Sequence, residues 1–180
     1  MGKNIEMSQI DLPWPHYCID GFMHPDKFSY HCGEAKKLGE PTGGYDQIVR
    51  KFLDYDPMPE VGDMINWFFE KRGYRKLKKF IHYAATPAGI NHPIHYEADF
   101  KIMSAVLYLT PKENGGTVLY EPDETYSYEV EWKPNRLFVF CGKDDVTHHS
   151  YYSTETRYTL NYFLVDPTKI QREDYQKLFI

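Results

Sequence analysis

From Lys79 onward the apolar residues recur at every second position in short runs separated by turn chemistry, a pattern that strands can bury on one face and helices cannot. The runs are Phe80 to Ala84, Ile102 to Leu109, Gly116 to Tyr120, Ser127 to Trp132, Leu137 to Phe140 and Tyr158 to Leu164. Thr86-Pro87, Pro111 to Gly115, Glu121-Pro122-Asp123, Lys133-Pro134-Asn135 and Gly142 to Asp145 punctuate them. Ahead of this block, Leu12 to Phe22 holds a short β-like stretch closed by Asp20-Gly21. Pro25 through Ala35 predicts a helix stopped by Gly39 and Pro41, and Val61, Met64, Ile65, Phe68 and Phe69 predict a second one stopped near Gly73. Helices first and strands afterwards exclude a doubly wound α/β fold, which alternates the two. The expectation is an α+β, mainly β chain: a jelly roll with its N-terminal helices packed on one sheet.

At 180 residues the chain suits a single domain, with support elements over 12–78, a jelly-roll core over 79–165 and a tail over 166–180 read as a short closing helix. A net charge of -5 supplies no basic face for nucleic acid. The crowding of Lys71, Arg72, Arg75, Lys76, Lys78 and Lys79 reads as a solvated helix end, where cations are favourable. Cys18, Cys32 and Cys141 are odd in number and lack metal-type spacing, so a reducing, cytoplasmic setting is expected. Neither a signal segment nor a membrane span is expected. As for self-association, a monomer or weak homodimer is expected.

Residues two apart on a strand share a face, so His95 and Glu97 within Ile94-His95-Tyr96-Glu97-Ala98 would present an imidazole and a carboxylate side by side. That pair alone is a weak signal. A histidine from a later strand would complete one face of an octahedron and leave the opposite positions open, the arrangement in which ferrous iron binds a chelating co-substrate and dioxygen. His148 and His149, about fifty residues on, are the candidates. Arg157 and Thr159 share a face of the last strand, and a guanidinium fork beside a hydroxyl suits the far carboxylate of a dicarboxylic acid.

Four stretches in order then resemble one known group, the 2-oxoglutarate and Fe(II)-dependent oxygenases of the prolyl-4-hydroxylase-like type. Pro15-His16-Tyr17-Cys18-Ile19-Asp20-Gly21-Phe22 is similar to their opening, and Tyr108-Leu109-Thr110 followed by Asn114-Gly115-Gly116-Thr117 to their strand and turn. Pro134-Asn135-Arg136-Leu137-Phe138-Val139-Phe140 resembles the approach to the distal histidine, and Arg157-Tyr158-Thr159 the close of the site. The resemblance spans about Leu12 to Leu164 and implies a double-stranded β-helix, cupin-like in form.

It also implies iron on His95, Glu97 and His149, and Arg157 on 2-oxoglutarate, with Thr159, Tyr108 and Tyr83 near that co-substrate. Between the paired histidines it favours His149, because His148 then fills the bulky place before the ligand, Ser150 the small one after it and Tyr151 the apolar one. Glu97 stands where the family usually carries aspartate, and Asp99 would replace it only on a bulged strand. The implied activity is dioxygenase chemistry: oxidative decarboxylation of 2-oxoglutarate to succinate, coupled to hydroxylation of a C–H bond in a small-molecule or peptide substrate, with peptidyl proline the guess by family analogy.

Other readings of the residues are blander. Tyr83 and Tyr108 suit plain core tyrosines, His82 and His92 surface or supporting residues, Gly115-Gly116 a positive-φ hairpin turn, and Trp14, Trp67 and Trp132 the core. At the level of function the rivals are a non-catalytic jelly-roll ligand-binding module, which would not need His95, and a cupin-type metalloenzyme of another reaction, which would not need Arg157.

Overall fold

The structure is a computed structural model and describes residues 7–43, 47–62, 77–141 and 148–170. In chain order its elements are β1 (Met7–Ile10), β2 (His16–Ile19), α1 (Pro25–Lys36), β3 (Val49–Phe52), β4 (Lys78–Thr86), β5 (Asn91–His95) and β6 (Lys101–Thr110). Then follow β7 (Thr117–Tyr120), β8 (Ser127–Val130), β9 (Leu137–Cys141), β10 (His148–Tyr152) and β11 (Arg157–Val165). The pairing is antiparallel throughout, in a seven-stranded sheet ordered β1-β2-β9-β6-β11-β4-β3 and a four-stranded sheet ordered β5-β10-β7-β8. This is the jelly roll, mainly β, that the late strand pattern predicts.

The alternation decides what each face of the larger sheet meets. Ile81, Tyr83 and Ala85 of β4, Leu107 and Leu109 of β6 and Leu160 and Tyr162 of β11 are buried toward α1 and its neighbours. Each such aliphatic side chain taken from water stabilises by about 1.5–3 kcal/mol, which outweighs the weak intrinsic stability of a short helix. α1 has Pro25 and Asp26 in its first turn and Lys36 in its last, and buries His31 and Ala35. The chain leaves it through Gly39 at φ +76. Residues 59–62 are helical, while the rest of the second predicted helix, with Trp67, lies outside the described residues. So does most of the basic cluster, although Lys78 and Lys79 open β4 rather than close a helix. In the tail, Pro167–Lys169 is a single 3-10 turn, and the remainder of the predicted closing helix also lies outside them.

Two of the motif stretches fasten one end of the larger sheet. Asn135, at φ +65, accepts from the Met23 amide and donates to the Met23 carbonyl, both at 2.8 Å. Arg136 and Lys133 close on the Asp20 carboxylate at 2.6 Å. The side-chain hydrogen bond from Arg136 is the main reason that Asp20 is held down at about 2; burial opposes it and Lys133 assists. β2 and β9 are therefore locked in register by their turns as well as by their ladder.

Candidate functional site

Between the two sheets, one end is filled by Trp14, Tyr108, Leu119, Trp132 and Phe138, and the other opens into a cavity of about 750 Å³. Strand parity selects its lining. Arg157, Thr159, Asn161 and Phe163 of β11 face it, as do the even-numbered residues of β4 from Phe80 to Thr86.

His95 and His149 enter from the smaller sheet. They are cross-strand partners, so their rings meet with centroids 4.2 Å apart. The His95 Nδ1 lies 2.9 Å from the Pro93 carbonyl, which can only accept, so Nδ1 carries the proton and Nε2 keeps the lone pair that a metal needs. Burial pushes His95 down in pKa despite that hydrogen bond, which favours the neutral, ligating form. His148 points the other way, stacked on Tyr96 at 5.9 Å and 3.9 Å from Glu124.

The carboxylate does not share a strand with His95, contrary to the sequence expectation. β5 stops at His95, the chain turns at Asp99-Phe100, and Glu97 sits in the connection. It stays in the site because the next strand reaches back to it: Lys101 Nζ lies 2.5 Å from one oxygen and Ser104 Oγ donates to the other at 2.6 Å. Burial alone would raise its pKa, but Lys101, His149 and the two hydrogen bonds prevail and hold it at about 2. Asp99 is exposed in the turn, with no bulge to bring it in. Among the described residues, no three His, Cys, Asp or Glu side chains converge closely enough to hold an ion, and both Glu97 oxygens are engaged by Lys101 and Ser104. In kind, two imidazoles and an ionised carboxylate match ferrous iron, and completing the set requires Glu97 to turn from Lys101.

Arg157 is the fully buried cation of the cavity. It is 3% exposed and boxed by the rings of Tyr151 at 4.4 Å and of Tyr108 and Trp132 at 5.1 Å. Its hydrogen bonds go to the Gly116 carbonyl at 3.4 Å and Thr117 Oγ1 at 3.2 Å, and no carboxylate pairs with it among the described residues. A buried cation without a counter-ion is costly, and burial lowers its pKa accordingly. A carboxylate entering the cavity would remove that cost. Thr159 shares its face and lines the cavity. Tyr108 stands beside it, stacked on Trp132 at 4.6 Å with its hydroxyl 2.7 Å from Thr117 Oγ1. Tyr83 does not join them: odd-numbered positions of β4 face α1, and its hydroxyl meets His31 Nδ1 at 2.5 Å, so its expected place near the co-substrate is corrected.

His82 and His92 are buried cavity residues and not surface ones. His92 packs between His95 at 4.1 Å and Tyr151 at 4.5 Å, with its ring tilted to both, and burial brings its pKa to about 4. Burial, followed by the charges of Arg50 and Lys101, brings His82 to about 3. Lys101, Ser104, Phe52 and Asn161 are site residues that the sequence reading missed.

No protein-family model and no curated protein sequence matches the chain. Solved structures do match. A prolyl-4-hydroxylase from Pseudomonas putida aligns with a TM-score of 0.63 at 18% identity, over 90% of this chain and 93% of that one. A prolyl hydroxylase from Trichoplax adhaerens, in complex with a hypoxia inducible factor oxygen degradation domain peptide fragment, aligns with a TM-score of 0.63 at 13% identity over 85% and 84%. The epimerase SnoN, in complex with Fe3+, alpha ketoglutarate and nogalamycin RO, aligns with a TM-score of 0.61 at 16% identity over 86% and 82%. The chain thus has the prolyl-4-hydroxylase-like fold of the 2-oxoglutarate and Fe(II) oxygenases.

Proposed function

We propose that the protein is a 2-oxoglutarate-dependent dioxygenase that hydroxylates a C–H bond. The observation that carries this reading is Arg157, a buried and uncompensated guanidinium in the same cavity as the facing rings of His95 and His149. His95, His149 and Glu97 would hold Fe(II). When bound, that iron supplies activation of dioxygen, coupled to conversion of 2-oxoglutarate into succinate and carbon dioxide and to hydroxylation of the substrate. The rest belongs to the chain. Arg157 binds the far carboxylate of 2-oxoglutarate as a fork, with the Thr159 hydroxyl beside it. Tyr151, Tyr108 and Trp132 exclude water around that ion pair and strengthen it. The Pro93 carbonyl fixes the His95 tautomer, and Lys101 and Ser104 keep Glu97 ionised, the form in which it would hold the metal. The prolyl hydroxylases among its structural neighbours make peptidyl proline the first substrate to try.

The test is Fe(II)-dependent formation of succinate from 2-oxoglutarate by the purified protein, with Arg157→Leu as the control. The parent should turn over slowly without any primary substrate. Arg157→Leu should need at least ten times more 2-oxoglutarate while binding Mn(II) as before, because a charged hydrogen bond contributes about 1.5–3 kcal/mol. Equal 2-oxoglutarate requirements in the two proteins would reject Arg157 as the anchor.

A further inference from the structure

Iron and co-substrate leave one wall of the cavity without a role. Phe52 of β3, Phe80 and His82 of β4 and Phe163 of β11 form a continuous aromatic surface there. Ring centroids are 5.0 Å apart for Phe52 and Phe80, 5.3 Å for Phe52 and His82, 5.7 Å for His82 and Phe163, and 6.0 Å for Phe80 and Phe163. Phe52 remains 37% exposed, so the surface is presented and not sealed. Aromatic rings so arranged offer edges and faces to another flat ring.

Two cations flank this wall, and they are not equivalent. Lys101 Nζ lies 4.0 Å from the Phe163 ring centre, but it is committed to Glu97. Arg50 projects from the same face of β3 as Phe52, and among the described residues it has no ion-pair or hydrogen-bond partner. With Arg157 assigned to the co-substrate and Lys101 paired with Glu97 in the metal-free protein, Arg50 is the cation left over.

His82 adds a ring held in one orientation. Asn161 Nδ2 lies 3.2 Å from its Nε2 and can only donate, so the neutral ring carries its proton on Nδ1. That Nδ1 is closed to solvent and has no hydrogen-bond partner among the described residues, so His82 offers the wall its ring and not a hydrogen bond.

We propose that this wall is the subsite of the primary substrate and that it takes a planar aromatic acid, with its ring against Phe52, Phe80 and Phe163 and its carboxylate on Arg50. The proposal rests on the oxygenase reading only in making this occupant the molecule oxidised. A neutral proline in a peptide can pack on aromatic rings but brings no carboxylate for Arg50.

The experiment is a fluorescence titration of naphthoate into the whole, metal-free protein, with naphthamide as the uncharged analogue. Naphthoate should bind the parent about tenfold more tightly than naphthamide, the loss expected of one charged hydrogen bond. Arg50→Gln should remove that preference, and Phe52→Ala should weaken both ligands. Arg50 and Phe52 are exposed on an edge strand, so both variants should fold. Equal binding of naphthoate and naphthamide overturns the proposal. So does a preference that survives in Arg50→Gln, and so does displacement of naphthoate by a neutral proline-bearing peptide. Because the titration contains no iron, its failure and a failed succinate assay are separate results.

Discussion

At the scale of single residues, the site depends on which of two adjacent histidines faces inward, since neighbouring strand positions point to opposite faces. His149 is 6% exposed and meets His95, whereas His148 leans on Tyr96. His149→Ala is therefore expected to weaken Mn(II) binding at least a hundredfold by calorimetry, while His148→Ala binds within about threefold of the parent, since removing a metal ligand outweighs any supporting contact. The reverse ranking would move the ligand by one position and shift the preceding strand's register with it. Glu97 shows where residue-level reading stops. A spacing of two suggested a shared strand with His95, yet the carboxylate is held by Lys101 and Ser104, four and seven positions on, across a turn. No periodicity encodes such a contact, because it depends on how two consecutive strands lie in space.

At the scale of elements, Gly115 and Gly116 matter for closeness and not for an unusual φ. Neither has a positive φ, which corrects the hairpin reading, but a Cβ on Gly116 would stand 2.2 Å from the Val130 carbonyl oxygen and one on Gly115 would stand 2.4 Å from that of Tyr152. Backbone must then move. Gly116→Ala should cost about 1–3 kcal/mol in urea unfolding. It should also raise the 2-oxoglutarate requirement, because the Gly116 carbonyl accepts from Arg157. If Gly116→Ala matched the parent in both measurements, the tight approach of β7 to β8 would not be needed. The six strands expected from the sequence all exist, because each is a short apolar run bounded by turn residues. β1 and β3 were not anticipated: they are four-residue strands at the two edges of the larger sheet, defined by what they pair with more than by what they bury. Tyr83 was misplaced for the related reason that β4 is buried on both faces, so its composition does not reveal which residues face the cavity.

At the scale of the molecule, five described histidines, His16, His31, His82, His92 and His95, have pKa values pushed down chiefly by burial, so acid should act on the fold before the carboxylates titrate. His82 is the most perturbed, at about 3 against an ordinary value of 6.5. The unfolded chain then binds a proton at this position through a range in which the folded protein does not. Its contribution is fully present above about pH 6.5 and is lost progressively as pH falls toward 3, at no more than about 1.4 kcal/mol per pH unit for one proton. Asp20 and Glu97, held at about 2, act in a lower window: their contribution is present above about pH 4 and fails only as pH falls toward 2. Between pH 7 and pH 5 the loss should therefore come from histidine. Urea unfolding of the metal-free protein should show stability falling over that interval, and His82→Gln, which keeps a polar side chain but does not titrate, should shallow the slope by up to one proton's worth. Stability that stayed flat or rose on acidification from pH 7 to pH 5, or a His82→Gln slope equal to the parent's, would mean that His82 is reached by protons and water in the native state, and its place as a buried, neutral ring in the cavity wall would be withdrawn.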